Sequence, residues 1–211
     1  MAQYFTIHPT HPQQRLIRQA AEIVRGGGLI AYPTDSCYAL GCQLGDARAV
    51  ARMRLVRGVD AKHHLTLMCR DLSEIGTYAI VDNVQYRFLK AATPGSYTFI
   101  LRATREVPRR LMHPRRKTIG VRVPGHPVAH ALLAELDGPM LSATLALPAD
   151  PAPLSDAPRI RERLQRELDL VIDSGSCGIE PSTVIDLTTD VPLVVRRGKG
   201  ALTPFGLKPA L

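Results

Sequence analysis

The feature that most limits what this chain can fold into is a repeated change of period. Segments with apolar residues at helical spacing alternate with short apolar runs of strand length, and the chain closes on strands alone. Leu16, Ala20, Ile23 and Val24 recur at helical spacing, and Gly26 to Gly28 stop that helix. Thr10 and Gln13 are spaced as a capping box, with Pro12 in the first turn. LIAY (29–32) follows as a strand. Asp46 is placed to cap a helix through about Arg54, LTLMC (65–69) reads as a buried strand, DLSEI begins a short helix, and Asp82 is placed to cap another through Leu89. TPG (93–95) turns into the strand YTFILRA. Residues 105–117 are a polar, basic connection. TIGVRV (118–123) and PMLSAT (139–144) are strands around the helix PVAHALLAEL (127–136), which has Val128, Leu132 and Leu136 on one face. Ser155 is placed to cap a helix carrying Ile160, Leu164 and Leu168. Three short strands, LVI, TVIDL and LVV, end the pattern. The alternation predicts an α/β fold with a mixed sheet, in one domain over residues 1–211.

The bulk numbers narrow the setting. Of the 211 residues, 45% are hydrophobic, enough for one sizeable core. No window approaches the roughly 18 apolar residues of a membrane span. MAQYFTIHPTHPQQR has neither the basic n-region nor the apolar h-region of a signal peptide, so the cytosol is the expected compartment. The four cysteines, Cys37, Cys42, Cys69 and Cys177, form no CxxC pair, and free thiols are expected. The net charge of +8 favours anionic partners, nucleic acid or nucleotide. Arginine outnumbers lysine 22 to 5, and guanidinium forks suit phosphate. A GC-rich genome would give the same bias.

No standard cofactor motif is present: neither GxxxxGK[ST], nor GxGxxG after a strand, nor GxSxG. His126 and His130 lie four apart on a predicted helix, but no third ligand accompanies them, and no metal site is assigned. VPRRLMHPRRK places Arg109, Arg110, Arg115, Arg116 and Lys117 within nine residues, as an anion or RNA contact surface or a solvated loop. With 5% aromatics and no tryptophan, base stacking is not the main binding mode. What remains is a set of polar residues at predicted strand ends: Thr34, Ser36 and Tyr38; Thr98; Thr118 and Arg122; Ser142 and Thr144; Ser182 and Thr183; and Arg196. They supply hydroxyls and cations without an evident nucleophile–base pair. That inventory suits a cleft for an amino acid and a nucleotide better than a hydrolase.

Six motifs then carry a resemblance. PTDSCYALGC, TPGSYTFIL, KTIGVRVPGHP, PMLSAT, PSTVIDL and VVRRG resemble, in order and spacing, those of the YrdC-type proteins, over about residues 12–200. YFTIHP, HPQQRLI, LTLMCRDLSE, IVDNV and EVPRRL bring the chain nearest to the YciO subfamily. The resemblance implies a single α/β domain with a twisted mixed sheet, flanking helices and a large positive concave cleft. It implies chemistry related to threonylcarbamoyl-AMP synthesis from threonine, bicarbonate and ATP, a nucleotidyltransferase-like step serving tRNA modification. ATP or a related nucleotide and Mg²⁺ are the implied cofactors. A small amino-acid-like ligand and double-stranded RNA or tRNA are the implied partners. By resemblance, Thr34, Tyr38, Thr118 and Thr183 hold the threonine or carbamate part, while Arg57, Arg122, Ser142, Thr144 and Arg196 face the nucleotide.

Departures qualify that picture. The family's KxR reads Arg57-Gly58-Val59 here, His63 and His64 replace the usual Asn-Pro, and Met68 stands where many synthases have histidine. The family's SAN reads Thr144-Leu145-Ala146. Loss of a transition-state donor typically costs about 100- to 1,000-fold in rate, and Lys62 is a candidate substitute cation. The retained residues favour a YciO-type nucleotide- or acyl-adenylate-binding protein over a non-enzymatic RNA binder. The altered ones favour it over an efficient synthase.

Overall fold

The computed structural model describes residues 1–60, 63, 65–189 and 191–205. In chain order the elements are β1 (Gln3–Thr6), α1 (Gln14–Arg25), β2 (Ile30–Tyr32), β3 (Ala39–Gln43), α2 (Ala47–Arg57), β4 (Thr66–Met68), α3 (Leu72–Tyr78), β5 (Ala79–Ile80), α4 (Asn83–Ala92), β6 (Tyr97–Ala103), β7 (Thr118–Arg122), α5 (Pro127–Leu136), β8 (Met140–Thr144), α6 (Ala157–Leu164), β9 (Leu170–Asp173), β10 (Thr183–Asp186) and β11 (Leu193–Arg196). Arg109–Leu111 and Thr203–Phe205 are 3₁₀ turns. The strands make one mixed sheet in the order β1-β9-β2-β3-β8-β4-β7-β6-β10-β11, with β5 added beside β6. The β1–β9, β2–β9, β4–β7 and β6–β10 pairs are parallel, and the rest are antiparallel.

Local chemistry explains most boundaries. Asp46 and Asp82 accept backbone N–H groups at the starts of α2 and α4, and Asp82 with Gln85 completes a capping box. Both helices run about one turn beyond their expected ends. Three expectations are corrected. The helix α1 begins at Gln14, not in the Thr10 turn: Gln13 accepts from the His8 N–H, while the Thr10 hydroxyl meets the rings of His8 and His11. Asp156, not Ser155, caps α6 through the Arg159 N–H. The PTDSCYALGC stretch is a loop only as far as Tyr38, for Ala39–Gln43 is a strand paired with β2 and β8.

Strands send alternate side chains to opposite faces, and here the faces are covered unequally. One face packs Leu40, Leu67, Phe99, Val121, Leu141 and Ile185 against α2, α3, α4 and α6. On the other, α1 and α5 lay Ile17, Ala20, Val24, Val128, Leu132 and Leu133 over Ile30, Tyr32, Met140 and Ile172. Those two helices cover the β9-β2-β3 side and reach Met140 and Met68 at one end of β8 and β4. Beyond those methionines the same face of β8, β4, β7, β6 and β10 stays open, and it carries Ser142, Thr66, Gly120 and Thr98 beside Ile100 and Val184. The fold thus leaves half of one sheet face uncovered, and polar side chains line it.

Candidate functional site

The loop between β2 and β3 folds over that open face and is built by its own hydroxyls. Thr34 Oγ1 donates to the Cys37 carbonyl (2.7 Å) and accepts from the N–H groups of Ser36 (3.1 Å) and Cys37 (3.3 Å), a side-chain-closed turn. Asp35 ties the loop to three distant segments. Its carboxylate pairs with Arg122 (2.8 Å) and accepts from Ser96 Oγ (2.6 Å) and the Gly125 N–H (2.9 Å). Lys199 Nζ reaches the Asp35 carbonyl (2.5 Å). Burial by itself would raise the Asp35 pKa, but Arg122 and these donors together hold it below its ordinary value.

Loop and sheet enclose a cavity of about 560 Å³, within the usual range for small-molecule sites. Hydroxyls of Thr34, Ser36, Thr66, Thr98, Thr118, Ser142, Thr144 and Ser182 line it, with the guanidinium groups of Arg116, Arg122 and Arg196. Met68, Ile100, Leu111, Val184 and Val195 supply apolar wall, and Cys37 and His63 also border it. Gly120 opens the floor: a Cβ there would stand 3.3 Å from Thr98 Cγ2 and 3.4 Å from Thr66 Oγ1.

The cations differ in their commitments. Arg122 is buried and each of its guanidinium nitrogens donates once, to Asp35, Ser36 Oγ (3.0 Å) and the Gly95 carbonyl (3.3 Å). Arg116 pairs with the buried Asp186 at 3.3 Å. Arg196 donates only to Ser182, through the carbonyl (2.8 and 3.2 Å) and Oγ (3.4 Å), and has no carboxylate partner among the described residues. Burial lowers its pKa, and the nearby Arg122 charge lowers it further. A guanidinium in this state favours an anionic neighbour.

The residues singled out in the sequence divide accordingly. Thr34, Thr118, Arg122, Ser142, Thr144 and Arg196 meet at the cavity, and Arg116 joins them from the basic segment. Tyr38, Thr183 and Arg57 stand outside its lining. Tyr38 donates its hydroxyl to the Gly175 carbonyl (2.8 Å). Thr183 donates to the Gly200 carbonyl (2.6 Å) and accepts from the Gly198 N–H (3.1 Å), fastening β10 to the chain after β11. Arg57 donates to the Ala146 carbonyl (2.6 Å), so two positions that depart from the family pattern touch each other. Its buried Nε has no hydrogen-bond partner among the described residues, and burial lowers its pKa. Arg109, Arg110, Arg115 and Lys117 are exposed outside the cavity, with Arg110 donating to the Gly45 carbonyl. Lys62 and His64 lie outside the described residues.

Thr66, Ile100 and Gly120 escaped the sequence reading. Ile100 and Gly120 were signalled, since each is two residues from a named site residue on the same strand and so shares its face. No group of three His, Cys, Asp or Glu side chains able to hold a metal stands together among the described residues. Asp35, the one acid of the opening loop, spends its oxygens on Arg122, Ser96 and Gly125, so the residues present do not fit a protein-held Mg²⁺. His126 caps α5, accepting from the Val128 N–H (3.2 Å). Burial raises the Cys37 thiol pKa, which leaves it a poor nucleophile. Among the described residues, no helix is long and apolar enough to cross a membrane.

Fold and cavity together define an α/β protein with a loop-covered cleft rich in hydroxyl and guanidinium groups, suited to holding an anionic, hydroxyl-bearing ligand. A family model covering Sua5, YciO and YrdC proteins, described as "Telomere recombination", matches residues 22–198, and the chain belongs to that family. The YciO protein of Escherichia coli (strain K12) is 56% identical over 97% of this chain and 100% of its own length. The E. coli YciO crystal structure superposes with a TM-score of 0.94 over the same shares. A threonylcarbamoyl-AMP synthase of Halorhodospira halophila is 31% identical over 80% of this chain and 88% of its own. The P. abyssi Sua5 crystal structure, complexed with L-threonine, matches at a TM-score of 0.85 and 27% identity, covering 92% of this chain and 57% of that one.

Proposed function

We propose that this protein binds a nucleotide or acyl-adenylate in the cavity under the 33–38 loop and acts on it by chemistry related to threonylcarbamoyl-AMP synthesis. The observation that carries the reading is Arg196: a guanidinium at the cavity, tied to Ser182 and with no carboxylate partner among the described residues. In the family reaction a carbamate oxygen attacks the nucleotide α-phosphate and pyrophosphate leaves. Such a step needs positioning and charge neutralisation more than a protein nucleophile, and the cavity offers hydroxyls and cations without a nucleophile–base pair. Relatives named threonylcarbamoyl-AMP synthase support an acyl-adenylate, and a Sua5 complexed with L-threonine supports its amino-acid part.

The altered positions bear on rate. Arg57 spends a guanidinium N–H on the Ala146 carbonyl, and Val59 offers no cation, so the triphosphate end of ATP meets fewer donors than the family pattern supplies. We therefore assign slow synthesis, or turnover of a preformed adenylate, over efficient synthesis.

Two incubations test this. One holds protein, ATP, threonine, bicarbonate and Mg²⁺, with pyrophosphate and threonylcarbamoyl-AMP followed. The other holds preformed threonylcarbamoyl-AMP, with its breakdown followed. Slow synthesis or adenylate breakdown is expected, either one abolished in Arg196→Ala. Synthesis at the rate of an authentic synthase assayed alongside would overturn the assignment of slow turnover. Inertness in both tubes, with no calorimetric binding of AMP or ATP, would overturn the nucleotide reading.

A further inference from the structure

The basic segment 105–117, read in sequence as an outer RNA or anion surface, contributes an inner wall of the cavity. Leu111 is buried against it, and Arg116, its side chain 55% exposed, reaches from the cavity rim to Asp186 while Arg109 and Arg115 lie outside the lining. Asp186 is only 5% exposed, and its other oxygen is taken by the Thr188 N–H (2.9 Å) and hydroxyl (2.6 Å). A buried, oriented carboxylate thus holds the Arg116 arm at the cavity. Among the described residues one contact, through a single guanidinium nitrogen, holds it there, and the arm's remaining donors can face a ligand.

The second cationic anchor sits on the same stretch of chain. Arg196 is fastened to Ser182, four residues before Asp186. Along an extended strand those attachment points are roughly 13 Å apart. Between them the cavity wall is made by Val184 and Val195, with the Thr98 hydroxyl beside Val184 and Ile100 beside Asp186. The order along this wall is cation, mostly apolar span, cation.

The geometry points to a second anion subsite at Arg116, so that the cavity takes a nucleotide bearing an anionic group on each side of its nucleoside. One phosphate meets Arg196, the sugar and base lie along Val184 and Val195, and the other phosphate meets Arg116. Each guanidinium–phosphate contact spans a few ångströms, so the two phosphates flanking one ribose bridge the gap. This chemistry has two sources, a free nucleoside 3′,5′-bisphosphate and a nucleotide at the end of an RNA strand. In the second case the following phosphates would run onto Arg109, Arg115 and Lys117. The inference rests on the nucleotide reading above.

Calorimetry on the full chain at about 0.1 M salt tests it with three probes: AMP, adenosine 3′,5′-bisphosphate and the dinucleotide pApA. The bisphosphate is expected to bind at least tenfold more tightly than AMP. Arg116→Ala should abolish that gain and leave AMP within about twofold, while Lys90→Ala, exposed on α4 and outside the cavity lining, should leave both affinities unchanged. Binding of pApA as tight as the bisphosphate assigns the subsite to a strand phosphodiester; binding at the level of AMP assigns it to a terminal phosphate. Equal affinity for AMP and the bisphosphate in the wild type, or a gain that survives Arg116→Ala, overturns the second subsite while leaving the nucleotide reading intact. If the wild type binds none of the three probes, both fall.

Discussion

Asp35 illustrates how one side chain in this molecule serves shape and charge together. It holds the loop over the cavity and neutralises Arg122, with a side-chain exposure of 17% against 7% for the arginine. Breaking a buried pair by removing one partner costs about 3–5 kcal/mol, because the survivor keeps its desolvation penalty. Asp35→Asn should therefore lower stability by about 3 kcal/mol in urea unfolding at pH 7. The pH dependence has a definite sign. The folded pKa is depressed, so the stabilisation is present above the unfolded value, near 3.8, and is lost as pH falls through the folded value. The gap between wild type and variant should narrow below about pH 4. A gap of the same size at pH 7 and pH 3 would show that Asp35 acts by shape alone. At this scale the sequence was half legible. Thr34, Arg122, Ser142 and Arg196 could be named because motif residues at strand ends face the cavity. Tyr38 and Thr183 sit in the same motifs, but their hydroxyls are spent on the carbonyls of Gly175 and Gly200, partners far along the chain that no local pattern reveals.

Among elements, legibility followed the range of the interaction that fixes each one. The helices α2 and α4 were readable because a single aspartate satisfies the first free N–H groups within three residues. The strand β1 was not readable, since its pairing with β9 spans over 160 residues, whereas β3 was missed despite its near pairing with β2, because the polar residues 34–38 run directly into it. The Thr10–Gln13 spacing had the form of a cap, yet the histidine rings of His8 and His11 captured the hydroxyl. These differences are measurable. Asp82→Ala removes two cap contacts and half of a capping box, and should cost about 1 kcal/mol. Thr10→Ala, in an exposed turn that caps nothing, should stay within about 0.5 kcal/mol of wild type. A loss at Thr10 equal to that at Asp82 would restore the cap first read in the sequence.

At the scale of the whole molecule, the open half-face decides what a ligand can do. The cavity draws on the 33–38 loop, on β7 and β8 in the middle of the sheet, and on β10 and β11 at one edge. The opposite edge, β1 beside β9, contributes nothing to it. A ligand that binds only the folded state adds stability by mass action, about 2.7 kcal/mol at a hundred times its Kd. For a chain of 211 residues that corresponds to a rise in Tm of roughly 5–10 °C. AMP at that concentration should produce such a rise, and Arg196→Ala should abolish it at the same AMP concentration. The protection should also be uneven. Hydrogen exchange should slow at Ser36 and Cys37, at Ser182 and Val184 and at Val195 and Arg196, which line the cavity, because opening those segments would release the ligand. Exchange that proceeds through local fraying at Gln3–Thr6 should be unchanged, since that edge can open with the ligand still bound. Protection confined to the β1 edge, or a Tm rise that survives Arg196→Ala, would place the ligand somewhere other than under the 33–38 loop.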